Sequence, residues 1–242
     1  MKPFKTSILF LGVLFLTFGT LGTGQQSKNE DWTKAVSSMP AEPANESQRA
    51  LRYARSSRFD DTTGKKRRLD LAQNADDTRG SGMSVLFRRI PPMPVQQSDA
   101  VLIGNVTNSQ AYFSGDRTAI YTELQIDVER VFKDRAQTVG SAITILALGG
   151  AIRLPDGRIA RQFAPPMQNR LYVDRRYVLF ANYFAATQSF NVIKAWELRN
   201  GTVAPLSDSD ISDAKSGKSK YANMTESAFL DAVQDIASST SQ

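Results

Sequence analysis

The chain of 242 residues contains no cysteine and no histidine. Without cysteine there can be no disulfide, thiolate nucleophile, zinc–sulfur site or covalently attached haem. An exported domain of this composition must therefore rest on an ordinary hydrophobic core. Without histidine there is no Ser-His-Asp triad, no imidazole metal ligand and no neutral-pH imidazole base. Catalysis would fall to carboxylates, Lys, Tyr, Arg or backbone groups, as in glycosidases that pair two carboxylates. The acidic residues Asp116, Glu123, Asp127 and Asp156 are the candidates, and their spacing forms no recognisable constellation. The sequence thus predicts no catalytic residue, no cofactor and no metal site. Long apolar runs are also missing after the first two dozen residues, so no later segment reaches the roughly 20 residues of a membrane-spanning helix.

What is present begins with a leader. Lys2 and Lys5 precede the apolar core Ile8–Leu16, and small residues follow up to Gly24 before the polar Gln25-Gln26. This is the layout of a cleavable secretory signal peptide over residues 1–24, and it predicts a secreted or periplasmic product. The apolar stretch is short for a membrane anchor, and no cysteine follows it, which excludes a bacterial lipoprotein. The net charge of +6 includes Lys2 and Lys5, so the exported part is only mildly basic. A balance of that sign favours loose attraction to anionic polymers and specifies none of them.

Residues 25–97 are polar and punctuated by Pro40, Pro43, Pro91, Pro92 and Pro94. Such a stretch buries too little apolar surface to offset its ordering entropy, and it is expected to be largely disordered or loosely ordered. Within it, 46–58 can form a short helix. Its arginines 49, 52, 55 and 58 spiral around the axis rather than line one face, so a solvated helix is expected. The run Gly64–Arg68, "GKKRR", reads as an exposed charged linker or as a processing site.

Residues 98–206 change character. Apolar Ala100–Val106, alternating Ala119–Phe132, Ala142–Leu148, Tyr177–Phe184, Phe190–Leu198 and Thr202–Ala204 read as strands, with Asn200-Gly201 as a tight turn. No internal helix is apparent. The expected fold is mainly β: a small OB-like antiparallel barrel, alternatively a β-sandwich. A polar linker over 207–223 then leads to a helix over 224–238. Thr225 is its N-cap, Met224 and Phe229 have staple spacing, and Phe229, Val233, Ile236 and Ala237 give the docking stripe.

Several motifs resemble sites and resolve into architecture. Gly149-Gly150 suggests a phosphate loop, but no helix follows, and Pro155-Asp156-Gly157 is a turn residue set. "SGKS" at 216–219 has Ser212 where a Walker loop needs its first glycine. Asp208, Asp210 and Asp213 lack the glycine and glutamate of a calcium loop. Asn45, Asn105, Asn200 and Asn223 head glycosylation sequons that matter only in a host that glycosylates exported chains. The residues left as a possible ligand-binding set are Arg153, Arg158 and Arg161 on the hairpin, Arg175 and Arg176, and the aromatics Tyr183 and Trp196 if they point outward.

At "SDAVLIGNVT", "IYTELQIDVERVFKD", "ITILALGG" and "YVLFANY", together with "MTESAFLDAV", residues 98–236 resemble a group of uncharacterised secreted bacterial proteins. The landmarks are Tyr121-Thr122, Lys133 and Gly149-Gly150. That resemblance implies an OB-type barrel distantly similar to the inhibitory domain of tissue inhibitors of metalloproteinases. Those inhibitors chelate metal through an N-terminal cysteine, which this chain lacks, so their mechanism is not implied. The expectation is an exported, non-enzymatic binding protein whose partner is an extracytoplasmic protein or an anionic polymer, with nucleic acid disfavoured. A secreted hydrolase using carboxylates alone and a precursor cut near Arg68 are the alternative readings.

Overall fold

The computed structural model describes residues 36–62, 70–72, 90–162 and 169–239. The leader over 1–24, the basic run Gly64–Arg68 and a cut near Arg68 lie outside the described residues. In chain order the elements are β1 (Val36–Ser38), α1 (Glu46–Ser57), β2 (Asp70–Ala72), β3 (Ala100–Phe113), β4 (Ile120–Asp134) and β5 (Ala142–Leu148). They continue with β6 (Gly150–Arg153), β7 (Ile159–Gln162), β8 (Arg176–Phe184), β9 (Ser189–Arg199), β10 (Thr202–Pro205), α2 (Asp208–Lys215) and α3 (Glu226–Ser239). Among the described residues no helix is long and apolar enough to cross a membrane.

The period-two pattern of 119–132 becomes β4, which buries Leu124 and Ile126 and leaves Asp127 exposed. β4 pairs antiparallel with β3 on one side and β5 on the other. β8 pairs antiparallel with both β3 and β9, and β9 returns beside β5 in parallel through one register pair, Ile145 opposite Phe190. The order β3-β4-β5-β9-β8 is the Greek-key ring of an OB-like barrel, with a thin seam between β5 and β9 that leaves it not fully closed. β10 extends β9 through the turn Asn200-Gly201, whose positive φ values of 52° and 72° suit Asn and Gly.

Both faces of this sheet are buried, which is why β8 carries aromatics on each side. Leu102, Ile126, Ile145, Tyr177, Leu179 and Phe190 fill the interior. On the outer face Val101, Ile103, Val178, Phe180 and Trp196 pack against Met93, Val95 and the Phe229–Val233–Ala237 stripe of α3. The N-cap expected at Thr225 is present, its Oγ1 accepting the Ala228 N–H at 3.4 Å. Arg176 locks α3 to the barrel by donating to Glu129 at 2.6 Å and to Glu226 at 2.5 Å. The stretch expected as linker holds the short α2, where Asp210 meets the Lys194 ammonium and the Ser207 hydroxyl.

Parts of the polar 25–97 stretch take defined places because the barrel supplies their partners. α1 docks, Pro92 accepts a hydrogen bond from Trp196 Nε1 at 2.9 Å, and Lys133 Nζ donates to the Val95 and Ser98 carbonyls at 2.7 Å each. A second sheet forms around the β6–β7 hairpin, with β1 parallel to β6 and β2 antiparallel to β7. The rest of that stretch lies outside the described residues.

Gly149-Gly150 is architecture rather than a phosphate loop, as the sequence suggests, and it forms the corner between the two sheets. The backbone of Gly150 has φ 144°, and a Cβ there would lie 2.6 Å from Thr122 Oγ1 and 3.1 Å from the Ala111 Cβ. Gly150→Ala therefore combines a positive-φ penalty with a clash. It is expected to cost about 2–3 kcal/mol in urea unfolding, whereas Gly157→Ala, which meets nothing within 4 Å, should cost less.

Candidate functional site

The ligand set read from the sequence does not converge. Arg153 and Arg158 are exposed on the β6–β7 hairpin, where Arg158 pairs with Asp156 at 2.7 Å. Arg161, in the same hairpin, is buried at 2 % exposure. Arg175 lies over the Tyr172 ring and 3.4 Å from Glu197, and Arg176 is committed to Glu129 and Glu226. Tyr183 packs against Phe190 at the far end of β8. Trp196 stands on the outer face of the barrel yet is only 1 % exposed, because the 90–97 segment and α3 cover that face of β9.

The residues that do converge surround α1, at the end of the barrel formed by the β3–β4 loop (114–119) and the β8–β9 turn (185–188). Asn45 caps the helix, its Oδ1 accepting the Gln48 N–H at 2.7 Å, and Glu46 favours the N-terminal end of the dipole. Three-residue steps fall about 60° short of a full turn, so arginines 49, 52, 55 and 58 fan across half the helix circumference. That fan lets one helix both bind the barrel and face solvent, where the sequence suggested only a solvated helix.

Arg55 is the inward member. Its Nη1 meets Glu123 Oε2 at 2.7 Å, with the two side chains 12 % and 11 % exposed. Its Nε donates to the Thr187 carbonyl at 3.0 Å and its Nη2 to the Gln188 carbonyl at 3.4 Å, so one guanidinium ties α1 to β4 and to the β8–β9 turn. The other Glu123 oxygen accepts from the Tyr121 hydroxyl at 3.4 Å. Burial, reinforced by the Glu123 charge, pushes the Tyr121 phenol well above its usual range and keeps it a donor. Phe59 stacks on Tyr121 at 4.9 Å, and the cross-strand neighbour Tyr112 stacks on it at 5.6 Å. Arg58 covers the Phe184 ring at 3.7 Å, and burial lowers its pKa from the ordinary value.

The loop beyond α1 is interlocked with the β3–β4 loop by acid side chains. Asp116 accepts from the Thr118 N–H at 3.0 Å, the Ser114 hydroxyl at 2.7 Å and the Asp61 N–H at 2.9 Å. Asp60 accepts the Asp116 N–H at 3.0 Å in return. These donors, Thr118 N–H foremost, hold the Asp116 carboxyl well below the usual carboxylate range.

Between α1 and this loop lies a cleft of about 270 Å³ whose walls include Glu42, Arg49, Arg52, Tyr53, Tyr112 and Arg117. Arg52 sits 4.6 Å above the Tyr112 ring and donates to the Ala41 carbonyl at 2.6 Å. Arg49 and Arg117 are exposed and have no ion-pair partner among the described residues, and Tyr53 is 70 % exposed. Neither Asp116 nor Glu123 lines this cleft, Asp127 is exposed on β4, and Asp156 belongs to the hairpin turn. The four carboxylates therefore stand in four separate settings. The Arg-every-third-residue spacing was the sequence signal for this site. Its polar surroundings disguised it, because the partner Glu123 lies 68 residues away.

No protein-family model matches the chain, and no curated protein matches it.

Two outcomes follow from this geometry. Glu123→Gln leaves a buried guanidinium without its anion and is expected to cost about 3 kcal/mol. Amide exchange should then accelerate in α1 while β3 and β8 keep their protection. Asp116 holds its proton less tightly folded than unfolded, so its contribution is complete above the ordinary aspartate pKa of about 3.9 and fades on acidification below it. Asp116→Asn should accordingly be less stable than the parent at pH 7, with a shallower loss of stability below pH 4 in acid titrations.

Proposed function

We propose that the chain is an exported, non-enzymatic binding protein that holds an anionic polysaccharide in the cleft between α1 and the β3–β4 loop. The observation that carries this reading is the lining of that cleft. It combines three guanidinium groups, of Arg49, Arg52 and Arg117, with one carboxylate, Glu42, and two tyrosine rings. Guanidinium groups donate in a planar fork that matches carboxylate and sulfate oxygens, and exposed tyrosine offers a flat face for a sugar ring. The position adds support by fold analogy: OB barrels in general bind oligosaccharides or oligonucleotides around the loops corresponding to 114–119 and 185–188. Export, read from the leader, favours the saccharide over the nucleic acid. The absence of His and Cys and the separation of the four carboxylates favour binding over hydrolysis.

Heparin serves as the probe for a polyanionic glycan. The full chain should bind it in 50 mM salt and weaken as salt rises, since exposed charge pairs are screened. Arg49→Ala/Arg52→Ala/Arg117→Ala together should lower affinity by about tenfold, at roughly 0.5 kcal/mol for each exposed contact, without shifting the unfolding midpoint by more than the loss of one surface packing. Equal heparin affinity in parent and triple variant, or tighter binding of single-stranded DNA than of heparin, would overturn the reading.

A further inference from the structure

We infer that the seam between β5 and β9 is a second binding site, for a small apolar ring compound carrying one hydrogen-bond donor. The ring of strands is complete except here. β5 and β9 share only the Ile145–Phe190 register pair, and beyond it their edges part. The gap is a cavity of about 290 Å³ lined by Phe59, Leu124, Ile145, Leu148, Leu171 and Val192 among others. Leu124 and Ile145 belong to the barrel interior, so the cavity opens the core itself rather than a surface depression.

Its wall also contains Asn169, only 7 % exposed. The Asn169 Nδ2 donates at 3.4 Å to the carbonyl of Ile193, the β9 residue that the β8 register skips, which fixes the sense of the amide. Oδ1 is left buried with no hydrogen-bond partner. A buried acceptor without a donor is disfavoured, and in a wall whose other polar side chain is the exposed Asn191, the missing donor is what a ligand supplies. The volume lies at the small end of ligand pockets, which begin at about 300 Å³, so the occupant is bicyclic rather than drug-sized. The mainly apolar lining asks for an apolar ring body, and the one buried, unpartnered acceptor asks for a hydroxyl or N–H at one edge. Phe59 links this cavity to α1. It follows α1 in sequence, stacks on Tyr121 and closes one side of this cavity, so the pocket is whole only with α1 docked.

The site is separate from the arginine cleft, and the test keeps them apart. The full chain is titrated with 2-naphthol and with 2-methoxynaphthalene, which has the same ring system and no donor, by fluorescence. The parent should prefer 2-naphthol by about tenfold, the worth of one buried hydrogen bond. Asn169→Leu should bind the two compounds equally. Val192→Trp should bind neither, with its thermal unfolding reporting that it folds, and the triple arginine variant should bind 2-naphthol like the parent. Failure of the parent to bind 2-naphthol, or an undiminished preference in Asn169→Leu, overturns the proposal.

Discussion

The β3–β4 ribbon outruns the barrel it builds. β5 follows β4 almost to the tip of the ribbon, from Asp127 to Tyr121, but β8 pairs with β3 only from Ala100 to Asn105, so β3 runs on to Phe113 past the end of its β8 pairing. Three register slips, at Val101/Leu102, Ile103/Gly104 and Val106/Asn108, let so long a pair bend around the core. The overhang still presents backbone groups that need partners. One comes from the N-terminal stretch, where the Ser37 hydroxyl accepts the Ala111 N–H at 2.9 Å, and the Gln110 side chain donates in turn to the Ser38 carbonyl at 3.1 Å. The β6–β7 hairpin covers the apolar side, where Ala111, Ile120, Ile152 and Ala160 form a small third core. The overhang thus organises both the second sheet and the platform on which α1 rests.

A buried Arg–Glu pair adds little stability when compared with apolar residues of the same shape, because both charges lose their hydration. Its contribution at α1 is directional. Arg55 has one arrangement that satisfies Glu123 and two carbonyls of the β8–β9 turn, and that arrangement fixes the rotation of the helix. The fan of arginines then follows: with Arg55 inward, Arg49 and Arg52 must line the cleft and Arg58 must reach Phe184. Placement of the solvent-facing charges is decided by the one that is not solvent-facing.

Much of the barrel was legible in the sequence because its strands carry their own pattern. Alternation in "AIYTELQIDV", the Asn200-Gly201 turn and the Phe229–Val233–Ala237 stripe each report a local period, and each appears where that period places it. The burial of Trp196 was illegible because its cover, Met93 and Val95, comes from a polar, proline-punctuated stretch. α1 was visible as a helix but not as a docked one. Its docking uses one ion pair and three aromatic contacts rather than an apolar stripe, and no period of hydrophobicity records an ion pair to a distant strand. Asn169 was equally silent. An asparagine three residues after Pro165-Pro166 reads as surface in the sequence, and only the parting of β5 from β9 gives its free oxygen a meaning.

The N-terminal residues 36–62 behave toward the barrel as a ligand does. They contribute β1 to the hairpin, Ser37 to the overhang, Arg55 to Glu123 and Asp60 to the β3–β4 loop, all through non-covalent contacts. A protease cut near Arg68 would therefore not strip this piece away at once. It would convert one chain into a two-chain complex whose N-terminal subunit departs only at the rate and dilution set by its own dissociation. The arginine cleft would then belong to an assembly that can be emptied and refilled rather than to a fixed fold.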